Sequence, residues 1–176
     1  KYDRDPSTGA VTASQELYID KLLRKYGLEN FNTLPTPFPS KADTVLQQLA
    51  LPPKNPSPAL KQEYQPLVGS LLYLQMHTVP EISYALSVLS RYLTIPGELH
   101  LQYARKVLRY LKGRKSTPLR YCATTCPEPY EPGQLYIYSD ASFADILPDR
   151  STTIGYVSLC NGAAVSWRSK KAPLRP

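Results

Sequence analysis

Apolar residues recur at the spacing of an amphipathic helix in four stretches of the first 112 residues. The first stretch follows Ser14, a favourable N-cap residue, and stops at Gly27, which can adopt the left-handed conformation common at helix C-termini. The last stretch carries Leu101, Ala104 and Leu108 along one side. The pattern therefore predicts helices over residues 14–27, 67–75, 78–93 and 102–112.

Prolines interrupt this helical pattern between residues 34 and 66. Each proline fixes φ and removes a backbone N–H donor, which blocks a regular helix interior. We therefore predict an irregular connection over residues 34–66, with at most a short turn around residues 45–49. Directly after it, Gly69 and Ser70 would allow a neighbouring element to approach the helix closely.

The pattern changes to a period of two after residue 133. Tyr136, Tyr138 and Asp140 alternate with apolar residues, which is typical of a strand. Two more strand-like runs follow, and Asn161-Gly162 between them is a strong hairpin signal. The sequence therefore predicts an α+β fold, a helical bundle followed by a three-stranded antiparallel sheet. The predicted parts are the bundle, residues 1–122, a proline-bearing linker, residues 123–133, and the sheet within residues 134–176.

The charge balance narrows the class of partner. A formal net charge of +7 and a pI near 9.3 favour an anionic partner, and nucleic acid fits this balance better than a membrane surface. The densest positive charge lies on the last predicted helix and directly after it. We expect these cations to contact nucleic-acid phosphates, and the alternative is an ordinary solvated helix face. They are Arg105, Lys106, Arg109, Lys112, Arg114 and Lys115.

The sequence also bears on compartment and thiol chemistry. No apolar run approaches the about 20 residues that span a bilayer, and the first residues contain no signal-peptide core. We therefore expect an intracellular protein, cytoplasmic or nuclear, without a membrane partner. The odd number of cysteines, Cys122, Cys126 and Cys160, argues against a disulfide framework. The Cys122–Cys126 spacing could begin a zinc site, but the two histidines, His77 and His100, lie far off in sequence, so we expect free thiols.

Six phrases of the chain, taken in order, resemble the copia-type class of LTR-retrotransposon Pol polyproteins. They are YIDKLLRKYGLEN, PLVGSLLYLQMHTVPEISYALSVLSRYL, HLQYARKVLRYLKG, YSDASFAD, DRSTTIGYV and VSWRSKK. The first three resemble the thumb and connection at the C-terminal end of the reverse transcriptase, and the last three resemble the first strands of its ribonuclease H domain. The resemblance implies a thumb-like bundle followed by a truncated ribonuclease H-like sheet. It also implies as partners an RNA/DNA hybrid or other nucleic acid and the rest of a Pol polyprotein.

The resemblance implies that Asp140 is the first catalytic and metal-binding carboxylate of the ribonuclease H part, where the family uses Mg²⁺. Ser142 stands where the family has a second aspartate, and Lys171 is followed by Ala-Pro-Leu-Arg-Pro instead of the helix that carries the catalytic glutamate. The Tyr-x-Asp-Asp motif of the polymerase is absent as well. We therefore expect a truncated, catalytically incomplete chain that binds no Mg²⁺ stably, with Asp145 and Asp149 as solvated loop residues.

Three other interpretations stay open. The chain could supply Asp140 to a composite nuclease that another chain completes. It could be a host-retained fragment that binds a protein, or a relic without a selected function. In each case we expect the sheet to shield its apolar side by docking on the helices through Val157, Leu159, Val165 and Trp167.

Overall fold

The computed structural model describes residues 1–39, 42–53, 57–146 and 151–172, and within them the chain forms a helical part and two antiparallel sheets. The helices are α1 (Glu16–Lys25), α2 (Ala42–Ala50), α3 (Pro58–His77), α4 (Ser83–Leu89) and α5 (Glu98–Arg114). The strands are β1 (Tyr2–Arg4), β2 (Val11–Ala13), β3 (Leu119–Tyr121), β4 (Leu135–Ile146), β5 (Ser151–Cys160) and β6 (Ala163–Lys171). The sheets have the strand orders β1-β2-β3 and β4-β5-β6. The predicted α+β class is confirmed.

The core lies where α1, α3, α4 and α5 turn their apolar sides toward one another. Leu71, Leu89 and Leu108 have no exposed surface, and the burial recurs at helical spacing. α1 begins where Ser14 Oγ accepts a hydrogen bond from the Glu16 N–H at 3.2 Å. Among the described residues, no helix is both long enough and apolar enough to cross a bilayer.

Two helices lie where the sequence predicted an irregular connection. α2 and the first half of α3 fall within residues 34–66, so the prediction is wrong for these residues. Pro58 occupies the first turn of α3, where a helix needs no N–H donor, and Pro66 lies on the exposed side of the same helix. α2 contains no proline and buries Leu49 completely, so core packing decides the outcome here.

His100 joins the start of α5 to the end of α2. Its Nδ1 accepts a hydrogen bond from the Gly97 N–H at 2.7 Å, so Nε2 carries the proton and donates to the Leu49 carbonyl at 3.0 Å. Burial lowers the pKa of His100, since the charged imidazolium is poorly solvated there. The neutral ring is therefore part of the packing between the two helices.

The helix predicted over residues 78–93 is shorter in the structure. α4 is flanked by 3₁₀ turns at Pro80–Ile82 and Ser90–Tyr92, and such turns are common at helix ends. Ile82 and Leu86 are nevertheless buried as the apolar pattern predicted. The change therefore affects the backbone geometry and leaves the inward side intact.

The second sheet confirms the predicted meander. β4 pairs with β5 and β5 with β6, all antiparallel, and Asp140 lies opposite Gly155. Asn161 and Gly162 turn the β5–β6 hairpin with φ angles of 52° and 79°, the left-handed region that a tight turn requires.

A tryptophan side chain anchors this sheet on the helices. Trp167 Nε1 donates a hydrogen bond to the Gln75 carbonyl near the end of α3 at 2.8 Å. Tyr121 OH adds a bond to the Ala164 carbonyl at 2.7 Å. The expected docking is thus confirmed for Trp167, but it is wrong for Val165, which is 47% exposed because a β-bulge between Ser158 and Leu159 displaces it.

The predicted linker is held at both ends by the turn of the β5–β6 hairpin. The Cys122 N–H donates to the Asn161 carbonyl at 2.9 Å, and the Gly133 N–H donates to Asn161 Oδ1 at 2.7 Å. Pro127 lies against Gly162, where an added Cβ would be 3.1 Å from the proline ring. The division into units at residues 122 and 134 stays a prediction.

Candidate nucleic-acid interface

The six predicted cations lie on α5 and its end, as the sequence indicated. Leu101, Ala104 and Leu108 face the core, which leaves the cations on the outer side. These cations contact more protein groups than the cations of a solvated helix face would. Arg105 forms an ion pair with Glu63 of α3, and Lys106 lies 4.2 Å from the Tyr103 ring centroid.

Two of the cations bind the segment that follows α1. Lys112 Nζ donates to the carbonyls of Glu29 and Phe31 at 2.5 and 2.9 Å. Arg109 Nε donates to the Asn32 carbonyl at 2.9 Å, and its guanidinium lies 5.6 Å from the Phe31 ring centroid. This segment lies about 80 residues earlier in sequence, so the two side chains hold a long-range contact together.

The last two cations pair with carboxylates. Arg114 lies 3.6 Å from Glu81, and Lys115 lies 2.8 Å from Asp20 of α1. The hydrogen bond to Asp20 raises the pKa of Lys115. Each of the six predicted cations therefore has an intramolecular partner. Partly exposed pairs of this kind contribute about 0–1 kcal/mol each, so phosphates can compete for them, and their role in binding nucleic acid stays a prediction.

A different surface, which the sequence analysis missed, lies on α3. Gln65, Gly69 and Tyr73 recur every four residues on its exposed side, and we call these three residues the open side of α3. Nothing lies within 4 Å of a Cβ built on Gly69, so no described element makes the close approach that this glycine would allow. The Tyr73 side chain is 48% exposed. The interval of four residues was visible in the sequence, but burial alone shows which side of this largely apolar helix faces outward.

Aromatic rings and cations border the open side of α3. The Tyr73 ring contacts Tyr18 of α1 at 5.2 Å and His77 at 4.4 Å between centroids. Lys21, one turn after Tyr18, and Lys61, one turn before Gln65, are exposed, and neither forms an ion pair with another described residue. Lys21 and Lys61 are therefore available to phosphates in a way that the α5 cations are not.

Asp140 lies in a cleft between the helices and the second sheet. The cleft has a volume of about 500 Å³, and Glu81 and Tyr84 line its helical wall. Asp140 is exposed, and its Oδ1 accepts a hydrogen bond from the Ala141 N–H at 2.8 Å. Ser142, in the position where the resemblance implies an aspartate, lines the same cleft.

The described side chains do not form a metal centre around Asp140. Among them, no group of three or more histidine, cysteine, aspartate or glutamate residues could hold a metal ion. Glu81 also lines the cleft but faces Arg114. The Asp145 side chain and the whole of Asp149 lie outside the described residues, so the expectation for them stays a prediction. The described donors thus do not fit a pair of Mg²⁺ ions, which needs several carboxylates.

The three cysteines are free and half-buried, and they come together beside the β5–β6 turn. Gly162 approaches Cys122 so closely that an added Cβ would lie 3.7 Å from its Sγ. Partial burial, the hydrogen bond with Cys122 and the nearby Cys160 thiol raise the pKa of Cys126. A raised pKa favours the unreactive thiol over the thiolate that binds metals.

The chain is similar to transposon proteins over most of its length. It is 29% identical over 97% of its length to the retrovirus-related Pol polyprotein from transposon TNT 1-94 of Nicotiana tabacum, and 36% identical over 94% to the putative transposon Ty5-1 protein of Saccharomyces cerevisiae. It spans 12% of the tobacco protein and 50% of the yeast protein. It is also 36% identical over 61% of its length to the secreted RxLR effector protein 161 of Plasmopara viticola, of which it spans 72%. No protein-family model and no solved structure matches the chain.

Proposed function

The chain belongs to the copia-type family of retrotransposon Pol polyproteins, and from this premise we propose that it binds an RNA/DNA hybrid through the open side of α3. The helical part would then correspond to the thumb and connection of the reverse transcriptase, and β4–β6 to the start of its ribonuclease H domain. Its place would be within a longer Pol polyprotein.

The observation that carries this proposal is the exposed glycine in the middle of α3. Glycine inside a helix costs about 1 kcal/mol relative to alanine, and it is usually retained where another group must come close. Nothing in the described part of the chain comes within 4 Å of a Cβ at Gly69. An external ligand that lies against the helix backbone would account for this cost.

A hybrid duplex matches the shape and chemistry of this side. The wide, shallow minor groove of an RNA-containing duplex displays sugar edges and 2′-hydroxyls. Gly69 gives the groove edge access to the helix. The Gln65 side chain, whose Nε2 donates to the Leu93 carbonyl at 2.8 Å, and the Tyr73 ring flank it on the same side. Lys61 lies one turn before Gln65, and Lys21 lies one turn after Tyr18, whose ring contacts Tyr73. Both lysines would neutralise phosphates beside the open side of α3.

The test compares two exposed tyrosines. We expect Tyr73→Ala to weaken binding of the purified chain to a labelled RNA/DNA hybrid by about tenfold, or about 1.4 kcal/mol, because the ring would no longer pack against the sugar edges of the minor groove. Tyr2→Ala, which removes an 80% exposed ring on β1, is the matched control and should leave the affinity unchanged. Binding should also fall steeply with salt, since phosphate contacts release counterions.

Two results would overturn the proposal. One is a folded chain that does not bind the hybrid at low salt. The other is binding that is equally sensitive to both tyrosine substitutions, which would indicate nonspecific attraction to a basic protein.

For catalysis we propose that this chain alone does not cleave the hybrid. The support is that Asp140 is the one aspartate among the described residues that line the cleft, and that position 142 is a serine. Incubation of the chain with hybrid and Mg²⁺ should give no cleavage above that of the Asp140→Asn variant. Cleavage that depends on both Mg²⁺ and Asp140 would show that a complete site forms, in this chain or in an assembly of it.

A second candidate function, a protein-interaction module, is favoured by one comparison. The chain spans 72% of a relative that is a separate short protein, the Plasmopara viticola effector, so much of this segment occurs outside a Pol polyprotein. A chain that folds, fails to bind the hybrid and forms a defined complex with a protein partner would support this second function over the first.

A further inference from the structure

The three cysteines of the chain converge beside the turn of the β5–β6 hairpin, although they come from different segments. Cys122 follows β3, Cys126 lies in the predicted linker, and Cys160 ends β5. Cys122 is held at the turn by its N–H, which donates to the Asn161 carbonyl at 2.9 Å. The fold thus gathers thiols that the sequence places in two separate regions.

Contacts on Gly162 bring the Cys122 side chain and the segment around Cys126 together. A Cβ built on Gly162 would lie 3.7 Å from Cys122 Sγ and 3.1 Å from the Pro127 ring, so both groups pack against one glycine. Cys126 directly precedes Pro127, and its thiol hydrogen-bonds with Cys122. Cys160 Sγ donates instead to Asn161 Oδ1 at 3.6 Å. Two thiols therefore face each other, and the third has a different partner.

The paired thiols are open to a small reagent. Both are half-buried, and Cys122 lines a cleft of about 710 Å³ between the end of α5 and the second sheet. Partial burial and the hydrogen bond with Cys122 raise the pKa of Cys126. Since the thiolate is the nucleophilic form, Cys126 keeps its proton while Cys122 attacks first.

We propose that Cys122 and Cys126 form a redox modification site, at which a hydroperoxide converts the two thiols to a disulfide. The Cys122 sulfur attacks the hydroperoxide, an S–O bond forms, and the O–O bond breaks. The proton of the Cys122 thiol goes to the departing oxygen, which leaves as an alcohol or, from hydrogen peroxide, as water. The peroxide is reduced by two electrons, and Cys122 becomes a sulfenic acid.

Cys126 completes the reaction. Its sulfur attacks the sulfenic sulfur, the S–S bond forms, and the S–O bond breaks. The departing hydroxide takes the proton of the Cys126 thiol and leaves as water. Two thiols and one hydroperoxide thus give one disulfide, one water and one alcohol or second water.

The disulfide would close residues 122–126 into a small ring at the end of β3. In this arrangement the Cys122 N–H binds the hairpin turn and Pro127 packs on Gly162, so the crosslink preserves contacts that join β3 to the second sheet. A crosslink also removes conformational freedom from the unfolded chain. We therefore expect oxidation to raise the melting temperature by about 4 °C.

The test is peptide mapping of the full chain after treatment with hydrogen peroxide. Trypsin cuts after Arg120, Arg150 and Arg168, so Cys122 and Cys126 share the peptide 121–150, and Cys160 lies in the peptide 151–168. The peptide 121–150 should lose about 2 Da, and dithiothreitol should restore this mass. The peptide 151–168 should keep its free thiol. In urea, where the fold no longer separates Cys160 from the pair, peptides joined through Cys160 should increase.

Three variants separate the roles of the thiols. Cys160→Ser is the matched control and should form the disulfide as the wild type does. Cys126→Ser should stop at the sulfenic acid of Cys122, which dimedone traps. Cys122→Ser should give at least tenfold less dimedone adduct, because Cys126 keeps its proton. Circular dichroism before oxidation checks that each variant is folded.

Three results would overturn the proposal. One is a native chain that keeps all its thiols under conditions that oxidise glutathione in the same tube. Another is a native product joined mainly through Cys160, or the same mixture of products with and without urea, because the fold would then not select the pair. The third is a dimedone adduct that is as abundant in Cys122→Ser as in Cys126→Ser.

Discussion

The cationic side of α5 and the open side of α3 belong to neighbouring helices of one bundle, but they differ in what their side chains already bind. The α5 side carries most of the conspicuous charge. Five of its six cations contact another part of the chain, and Lys106 lies over the Tyr103 ring of the same helix. The α3 side carries little charge, and Gly69 has open space before it. A count of charges therefore does not distinguish cations that already have a partner in the chain from a surface with open space before it.

This difference indicates that the two surfaces have different roles. Lys112 and Arg109 hold the segment after α1 against the bundle, so their removal should affect stability first. A side chain added at position 69 would enter open space, so the replacement of Gly69 should affect ligands first. The predictions that follow test this division, beginning with the largest expected effect.

A cavity in the core that α3 and α5 share should destabilise the open side of α3 and the cationic side of α5 together. Leu108→Ala should lower the free energy of unfolding by about 2–5 kcal/mol, because it leaves a cavity in a fully buried site. Urea titration followed by circular dichroism would measure the loss. Leu17→Ala, at a side chain that is 77% exposed, is the control and should change little. A small loss at Leu108 would contradict the position of the core.

Filling the space before Gly69 should separate binding from stability. Gly69→Leu should weaken hybrid binding at least tenfold, or about 1.4 kcal/mol, and should raise the free energy of unfolding because leucine is the better helix former. Gly69→Ala is the matched control, since it improves the helix with little added bulk. If Gly69→Leu bound the hybrid as well as the wild type, the open side would not be the interface.

Lowering the pH should destabilise the buried start of α5, where His100 lies, and leave its exposed cationic end unaffected. Because burial lowers the pKa of His100 below its unfolded value near 6.5, the unfolded chain takes up the proton first. The stability from neutral His100 is therefore present above about pH 6.5 and is lost as the pH falls toward the folded pKa, by at most about 1.4 kcal/mol per pH unit.

The measurement is the free energy of unfolding between about pH 5 and 7. The rise with pH should be absent in His100→Gln and retained in His77→Gln, which alters an exposed histidine. An unchanged pH dependence in His100→Gln would mean that another group is responsible.

Replacing single lysines should give the smallest effects. It should also give the most direct contrast between the cationic side of α5 and the open side of α3. Lys112→Met should lower stability by about 0.5–1 kcal/mol, because two carbonyls lose their donor, and should change hybrid affinity less than about threefold. Lys21→Met should leave stability unchanged and reduce the salt dependence of binding by about one counterion. The reverse pattern would return the interface to α5.

The sequence predicted those elements whose signals are local. The period of α5, the alternation of β4 and the Asn161-Gly162 turn each lie within a few residues of chain. The prolines led to a wrong prediction for α2 and α3, because a proline in the first turn of a helix cannot be told from the sequence apart from one that prevents the helix. Burial of residues such as Leu49 settles the difference, and burial depends on the whole fold.

The candidate surfaces show the same limit. The sequence placed the cations on α5 correctly. The partners of Lys112, Glu29 and Phe31, lie 83 and 81 residues away, however, and no local pattern predicts such pairs. The small size of Gly69 was noticed in the sequence, but the sequence does not say whether another element lies against it. Its surroundings decide whether a small residue admits another helix or leaves an opening.

Because Asn161 binds both Cys122 and Gly133, the residues between them form a closed loop rather than a tether. Force applied between the helices and the second sheet would load these hydrogen bonds before it could extend the loop. Lengthening such a loop costs little, about 0.6 kcal/mol for each doubling. The loop is therefore a place where an affinity tag or a fluorescent domain could be inserted while the two parts of the molecule stay joined.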